Sequence, residues 1–153
     1  MTRAAPGFGP FWFSTQKLVS LMERDVARRL RAELGIGSMQ YRVLSAVQVR
    51  GEGFNQQDVA DLLGTTAATV SRQIESAAAE GYVIVEVSAN SRRENNVQLT
   101  SAGVDLVAQG DEIIAQQSEI LLAGVDAEKF RITVETVQKM LSTITSDTKA
   151  SAD

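Results

Sequence analysis

The chain has 153 residues, of which 44% are hydrophobic and 22% charged, and its formal net charge is −4. This is the balance of an ordinary globular protein, and the absence of Cys and His excludes disulfides, thiolate chemistry, imidazole bases and the usual zinc ligands. We therefore expect no metal, no cofactor and no enzyme activity. We also expect a cytoplasmic location, because no apolar run approaches the roughly 18 residues of a membrane span.

The first third of the chain predicts two helices. Residues 1–10 hold both prolines and predict a loose lead-in, and residues 11–33 carry an apolar stripe at helical spacing. The glycines of 35–37 end that helix. Ser38 is placed to cap a second helix, which Gly51 ends.

A short third helix is predicted over residues 56–63. Asn55 is its expected cap, and Gly64 is its expected stop. One of two threonines, Thr65 or Thr66, then caps a fourth helix, which is made largely of Thr, Ala and Ser.

After the fourth helix, the spacing of the apolar residues changes from that of a helix to every second residue, which is typical of a strand. The alternation over 83–87 and again over 97–99 predicts a β-hairpin, whose tip is the polar segment 88–95. Ser101 is expected to cap a fifth helix, and Asp126 a sixth.

The third and fourth helices have the spacing of a helix-turn-helix. Gln56, Ala60, Gly64 and Val70 follow one another at intervals of four, four and six residues. The motif needs a small residue where the helices cross, a glycine in the turn and an apolar residue where the second helix docks. Small side chains would let that second helix enter a major groove about 12 Å wide. With the hairpin attached, the unit is a winged helix-turn-helix.

The order of six helices, with a wing between the fourth and fifth, resembles the MarR family of bacterial transcriptional regulators. The matching segments are "QYRVL" at 40–44, "DVADLLGTTAATVSRQIESAAAEGYV" at 58–83 and "SRR…VQLTSAG" at 91–103. The fold class is therefore expected to be mainly α, with a two-stranded β wing and dimerisation helices at both ends.

The expected domains follow the same order. Residues 1–34 form the lead-in and first dimerisation helix, and 35–100 form the winged helix-turn-helix DNA-binding domain. Residues 101–145 form the C-terminal dimerisation helices, and 146–153 form a polar tail.

Both the motif and the resemblance indicate residues that contact DNA. Hydroxyl and methyl groups of the fourth helix can meet bases or phosphates, and Arg72 can reach guanine or phosphate. The resemblance implies that a wing arginine enters the minor groove. The DNA-binding candidates are Gln56, Thr65, Thr66, Ala67, Ala68, Thr69, Ser71, Arg72, Arg92 and Arg93.

The resemblance also implies an obligate homodimer and a pocket for a small ligand beside the winged helix-turn-helix DNA-binding domain. Without Cys or His, the expected effector is a non-covalent aromatic or phenolic compound. Aromatic residues would form the wall of the pocket, and a Lys or Arg side chain would bind an anionic group of the ligand. Aromatic residues at helical spacing are, however, also typical of a core or a dimer interface. The ligand-binding candidates are Trp12, Phe13, Lys17, Tyr41 and Arg42, with Met22 as a further wall residue.

The predicted function is sequence-specific binding of double-stranded DNA at a pseudo-palindromic operator. The protein would repress a nearby promoter until a small organic ligand releases it. The alternative is a winged-helix protein-interaction or dimerisation module that does not bind DNA. The acidic balance slightly favours this alternative, because residues 101–153 hold nine acidic residues against four basic ones.

Overall fold

The computed structural model describes residues 7–51, 55–87 and 95–150. Within these ranges the chain forms six helices and a two-stranded antiparallel sheet, so the mainly α winged fold expected from the sequence is confirmed. None of the helices in the described ranges is long and apolar enough to cross a membrane. The elements are α1 Phe8–Leu34, α2 Ser38–Arg50, α3 Gln56–Leu63, α4 Ala67–Ala79, β1 Val83–Val87, β2 Asn95–Leu99, α5 Ser101–Leu122 and α6 Ala127–Ala150.

Helix α1 begins earlier than the sequence predicts. A loose lead-in over 1–10 is wrong for its last three residues, because the helix starts at Phe8 and its first backbone bond joins Phe11 N to Gly7 O at 3.1 Å. Pro10 is tolerated because the first turn of a helix has no intrahelical partner for its N–H groups. The predicted end is confirmed, since Gly35 lies in the left-handed region at φ 73°.

Two of the predicted caps are wrong by one residue. Gly37 accepts the first backbone bond of α2, from Tyr41 N at 3.1 Å, so Ser38 already lies inside that helix. At α5 the cap is Thr100, whose Oγ1 accepts from Gly103 N at 3.1 Å, and Ser101 is the first helical residue. In both cases the residue before the serine accepts the first backbone hydrogen bond of the helix, as Thr100 O does from Val104 N at 2.9 Å.

The other predicted caps are confirmed by side-chain hydrogen bonds. Asn55 Oδ1 accepts from Gln57 N at 2.8 Å and starts α3. Thr66 Oγ1 accepts from Thr69 N at 3.2 Å and starts α4, and Asp126 Oδ1 accepts from Lys129 N at 2.9 Å and starts α6. These bonds fix where α3, α4 and α6 begin.

The helix-turn-helix has the predicted geometry. Ala60 and Val70 are both 0% exposed, which places a small residue where α3 and α4 cross and an apolar one where α4 docks. Gly64 adopts φ 63° in the turn, a conformation that other residues rarely accept. The largest fully buried side chains around this motif are Leu30, Ile36, Val43, Leu44, Val47, Val59, Val97 and Val107.

The wing is the antiparallel pair β1–β2, in which Val83 faces Leu99 and Val85 faces Val97. Its root is tied to the start of α5 by the bond from Thr100 Oγ1 to Gly81 O at 2.7 Å. The predicted tip is wrong for its last residue, because Asn95 is the first residue of β2. Residues 88–94, including Arg92 and Arg93, lie outside the described residues.

The chain divides into two compact units, the first ending at Gln117 and the second beginning at Ser118. The second unit holds the end of α5 and all of α6. The apolar stripe predicted for α6 is present, and its side chains are 36% to 65% exposed. The stripe consists of Phe130, Val134, Val137, Leu141 and Ile144.

Candidate nucleic-acid interface and ligand pocket

The exposed N-terminal surface of α4 carries a connected row of polar groups. Thr66 Oγ1 lies 3.0 Å from Thr69 Oγ1, and Arg72 Nη2 donates to Thr69 Oγ1 at 3.3 Å. The guanidinium of Arg72 is therefore held along the helix by one weak, exposed bond. It can turn towards a base or a phosphate at little cost.

The small residues of this surface do not all face solvent. Ala68 is exposed, whereas Ala67 is half-buried and packs against the core. Ser71 is half-buried and donates to Glu75 Oε1 at 3.2 Å. The methyl group of Ala68 is thus free to contact DNA, whereas the side chain of Ala67 helps to pack α4 against the core.

The remaining candidates lie at the edges of this surface. Thr65 is half-buried in the turn, where its N–H bonds Ala60 O at 2.9 Å. Gln56 is half-buried at the first position of α3. Thr65 directly precedes the cap of α4, and Gln56 belongs to α3, which packs against α4. Arg92 and Arg93 lie outside the described residues.

A cavity of about 360 Å³ lies within the first unit, between α1, α2 and α5. Its walls are mainly aliphatic and aromatic, with a few polar groups among them. The cavity contains Tyr41 and Arg42 of the predicted ligand set, together with Met22, whereas Trp12, Phe13 and Lys17 do not line it. The lining residues are Val19, Met22, Glu23, Val26, Ser38, Tyr41, Arg42, Ile114 and Gln117.

Tyr41 is the buried aromatic residue of this cavity. Its hydroxyl donates to Asp111 Oδ1 at 2.5 Å, and its ring packs so closely on α5 that a Cβ at Gly110 would come within 2.4 Å of it. Burial, and secondly the hydrogen bond to Asp111, raises the pKa of Tyr41 to about 12. Gly110 is therefore needed for the ring to sit where it does.

Arg42 connects the cavity with the helix-turn-helix. Its Nη1 lies 3.6 Å from Glu23 Oε1 on α1, and its Nη2 donates to the carbonyl oxygen of Leu63 at 3.3 Å. Another lining residue, Gln117 of α5, donates from Nε2 to Met22 O on α1 at 3.3 Å. Glu23 and Gln117 were not found from the sequence, because nothing local distinguishes them from other polar residues of an amphipathic helix.

We expect Tyr41→Phe to change how stability depends on pH. Tyrosines in unfolded chains release their proton near pH 10, whereas Tyr41 in the folded protein holds it to about 12. The unfolded state then binds fewer protons in this interval, so the wild type loses stability as the pH rises from about 10 to about 12.

Urea unfolding at several pH values measures this effect. Tyr41→Phe should be the less stable protein at pH 7, because it lacks the bond to Asp111, and the difference between the two proteins should shrink above pH 10. A constant difference across that range would show that Tyr41 titrates normally.

The comparisons with known proteins agree with this architecture. The sequence model of the MarR family matches residues 34–94, which run from the end of α1 into the wing. No curated protein matches the chain. Many solved structures do match it, and three of them are informative.

The S. aureus MepR–DNA complex is similar at 22% identity and a TM-score of 0.76, covering 87% of this chain and 97% of MepR. A MarR transcriptional regulator from Methanosarcina mazei Go1 has 26% identity and a TM-score of 0.74, and the match covers 87% of this chain and 94% of that regulator. CouR from Rhodococcus jostii RHA1, bound to p-coumaroyl-CoA, has 18% identity and a TM-score of 0.76, and the match covers 85% of this chain and 90% of CouR. The resemblance to the MarR family is confirmed.

Proposed function

We propose that this chain, with the winged fold of MarR-family regulators, binds double-stranded DNA in a sequence-specific manner and represses a nearby promoter. The observation that carries the proposal is the surface of α4. Directly after a glycine turn, α4 presents the exposed hydroxyl of Thr66, the methyl of Ala68 and the guanidinium of Arg72. These groups match what base edges and phosphates in a major groove offer.

We further propose that the protein acts as a homodimer on a pseudo-palindromic site. Both α1 and α6 expose large apolar side chains, among them Phe8, Trp12 and Phe13 of α1, the last of which is 73% exposed. A two-fold dimer would cover such surfaces. Its two reading helices would contact half-sites about one helical turn, or roughly 34–36 Å, apart.

Footprinting on the duplex selected by the protein tests this arrangement. The expected result is protection of two half-sites related by a two-fold axis. Protection of a single asymmetric half-site would contradict the dimer. A mobility shift with promoter-sized duplexes at several salt concentrations tests the alternative of a module that does not bind DNA, which the net charge of −4 slightly favours. No shift at low salt would support that alternative.

Arg72 and the two wing arginines should differ in their effects on binding. Arg72→Ala should cost on the order of 1–3 kcal/mol and relax base preference at one position of each half-site. Replacing Arg92 and Arg93 should weaken binding to most sequences. It should also flatten the salt dependence by about one unit for each phosphate that a subunit no longer neutralises. Selection from a randomised duplex pool, followed by salt titration, separates the two effects. Equal decreases in affinity that do not depend on salt would show that the roles are not divided in this way.

We also propose that a small aromatic acid or phenolic compound controls DNA binding from the cavity that Tyr41 and Arg42 line. Its apolar walls suit a ring, and Arg42 offers a positive charge. The ligand-bound state of CouR, a protein of the same fold, supports an organic effector in this chain too. Such a ligand lowers operator affinity only if it prefers a form whose reading helices are wrongly placed.

A further inference from the structure

Arg42 belongs both to the cavity and to the helix-turn-helix. The side chain leaves the second turn of α2 and lines the cavity, and its Nη2 donates to the carbonyl oxygen of Leu63 at 3.3 Å. Leu63 is the last residue of α3, and the next residue is Gly64 in the turn. One guanidinium thus contacts the ligand space and the segment that sets the angle between α3 and α4.

The bond to Leu63 stabilises the end of α3. The last four carbonyl groups of a helix have no intrahelical donor, and a cation near them is favourable. In α3 the carbonyl of Ala60 is satisfied by the N–H groups of the turn, including Thr65 N at 2.9 Å, whereas Arg42 supplies a donor to Leu63. The oxygen of Leu63 and the N–H of Gly64 belong to one planar peptide group, so holding one orients the other.

The contacts of Arg42 are weak enough to be exchanged. Its distance to Glu23 Oε1 is 3.6 Å, and both side chains are partly exposed. A carboxylate seated against a guanidinium can accept two parallel hydrogen bonds of about 2.7–2.9 Å and also carries the opposite charge. The neutral carbonyl of Leu63 accepts one bond, at 3.3 Å. A ligand carboxylate would therefore compete with Leu63, and Glu23 would oppose its entry by charge repulsion.

Two of the other polar side chains around the cavity are already engaged. The Tyr41 hydroxyl donates to Asp111, and Gln117 Nε2 donates to Met22 O and to Asp25 Oδ2. Among the described residues that line the cavity, Arg42 is the one with a positive charge. Arg42 is consequently the one cation that this lining offers to a carboxylate ligand.

We propose that Arg42 is the residue that couples the cavity to the DNA-reading unit. The carboxylate of an aromatic acid draws the guanidinium away from Leu63, and the turn at Gly64 is released from its fixed orientation. This inference rests on the proposed function, since it explains how the ligand of that site changes DNA binding. By linkage, operator DNA weakens binding of the same ligand by the same factor.

The experiment uses 2-naphthoate as the probe and 2-naphthamide as its uncharged control. Calorimetric titration without DNA compares the full-length wild type with Arg42→Gln, Arg42→Lys and Glu23→Gln. Wild type should bind the carboxylate at least about tenfold more tightly than the amide, since a hydrogen bond to a charged group has that effect. Arg42→Gln should bind both probes equally weakly, and Arg42→Lys should fall between.

Glu23→Gln provides the variant that leaves Arg42 and the core intact. Removing the competing carboxylate should tighten 2-naphthoate binding about two- to fivefold and leave 2-naphthamide unchanged. This opposite sign cannot come from a folding defect. Weaker or unchanged binding of 2-naphthoate by Glu23→Gln would overturn the role given to Arg42.

Hydrogen exchange of the backbone amides of Gly64 and Thr65 tests the coupling itself. Adding 2-naphthoate to wild type should speed their exchange to the rate seen in Arg42→Gln without ligand, and that variant should show no further change. The proposal fails if wild type does not bind 2-naphthoate, if Arg42→Gln binds it normally, or if bound 2-naphthoate leaves these amides unaffected. All of these readouts are made without DNA, so they remain informative if mobility shifts show that the proposed function is wrong.

Discussion

Introducing glutamates at Val137 and Leu141 of α6 is expected to split the dimer and to lower operator affinity by at least about a hundredfold. The two side chains lie one turn apart on the apolar stripe of α6 and are 36% and 57% exposed in the single chain. Covering them with a second copy would leave the new carboxylates buried without partners, which is costly. A monomer would then bind one half-site without the gain in effective concentration that links two, about 10²–10⁴.

The matched control introduces the same two charges on the opposite side of the helix, at Thr143 and Ser146. Sedimentation should show a dimer for wild type and for this control, and a monomer for the variant at Val137 and Leu141. Circular dichroism checks that all three remain helical. A wild type that sediments as a stable, folded monomer would reject the dimer, and equal effects of the two double variants would reject this face of α6 as the interface.

Much of the fold could be predicted because the deciding signals are local. Asn55 caps α3, Gly64 forms the turn and Val70 docks α4, and each of these roles depends on residues within a few positions. The errors are local too. The proline at position 10 looked like a helix breaker, but a helix accepts proline in its first turn, and α1 begins at Phe8.

The cavity was harder to predict because its walls come from distant parts of the chain. Tyr41 and Arg42 were found, since they stand at the start of α2 beside a clear boundary. Gln117 was missed, because its contact with Met22 joins residues 95 positions apart. Trp12 and Phe13 belong to α1, as expected, but they do not line the cavity. Helical spacing predicts which face of a helix a residue occupies, and it does not predict how far along the helix a cavity lies. Whether they bind a ligand or a second copy stays a prediction.

A close approach between backbones holds the wing against α5. At Gly103, in the first turn of α5, a Cβ atom would lie 2.1 Å from the carbonyl oxygen of Tyr82 and 3.3 Å from a methyl group of Leu99. The same Tyr82 oxygen accepts from Thr100 N at 3.0 Å. Since the obstacle is backbone, it cannot move aside as the end of a flexible side chain would. The position therefore requires glycine for space, although its backbone conformation is an ordinary helical one.

Gly103→Ala is accordingly expected to destabilise the protein by about 3 kcal/mol, at the upper end of the usual cost of overpacking. Because the clash lies where β1 begins, the wing root should shift and operator binding should weaken even at temperatures where the variant is folded.

Gly9→Ala is the matched control, since Gly9 also lies within a helix and a Cβ there meets nothing within 4 Å. That change should alter stability by less than about 1 kcal/mol, because the gain of alanine over glycine in a helix is opposed by the restriction that Pro10 places on the residue before it. Urea unfolding measures both, and a Gly103→Ala protein as stable as wild type would mean that α5 and the wing root lie further apart than this packing requires.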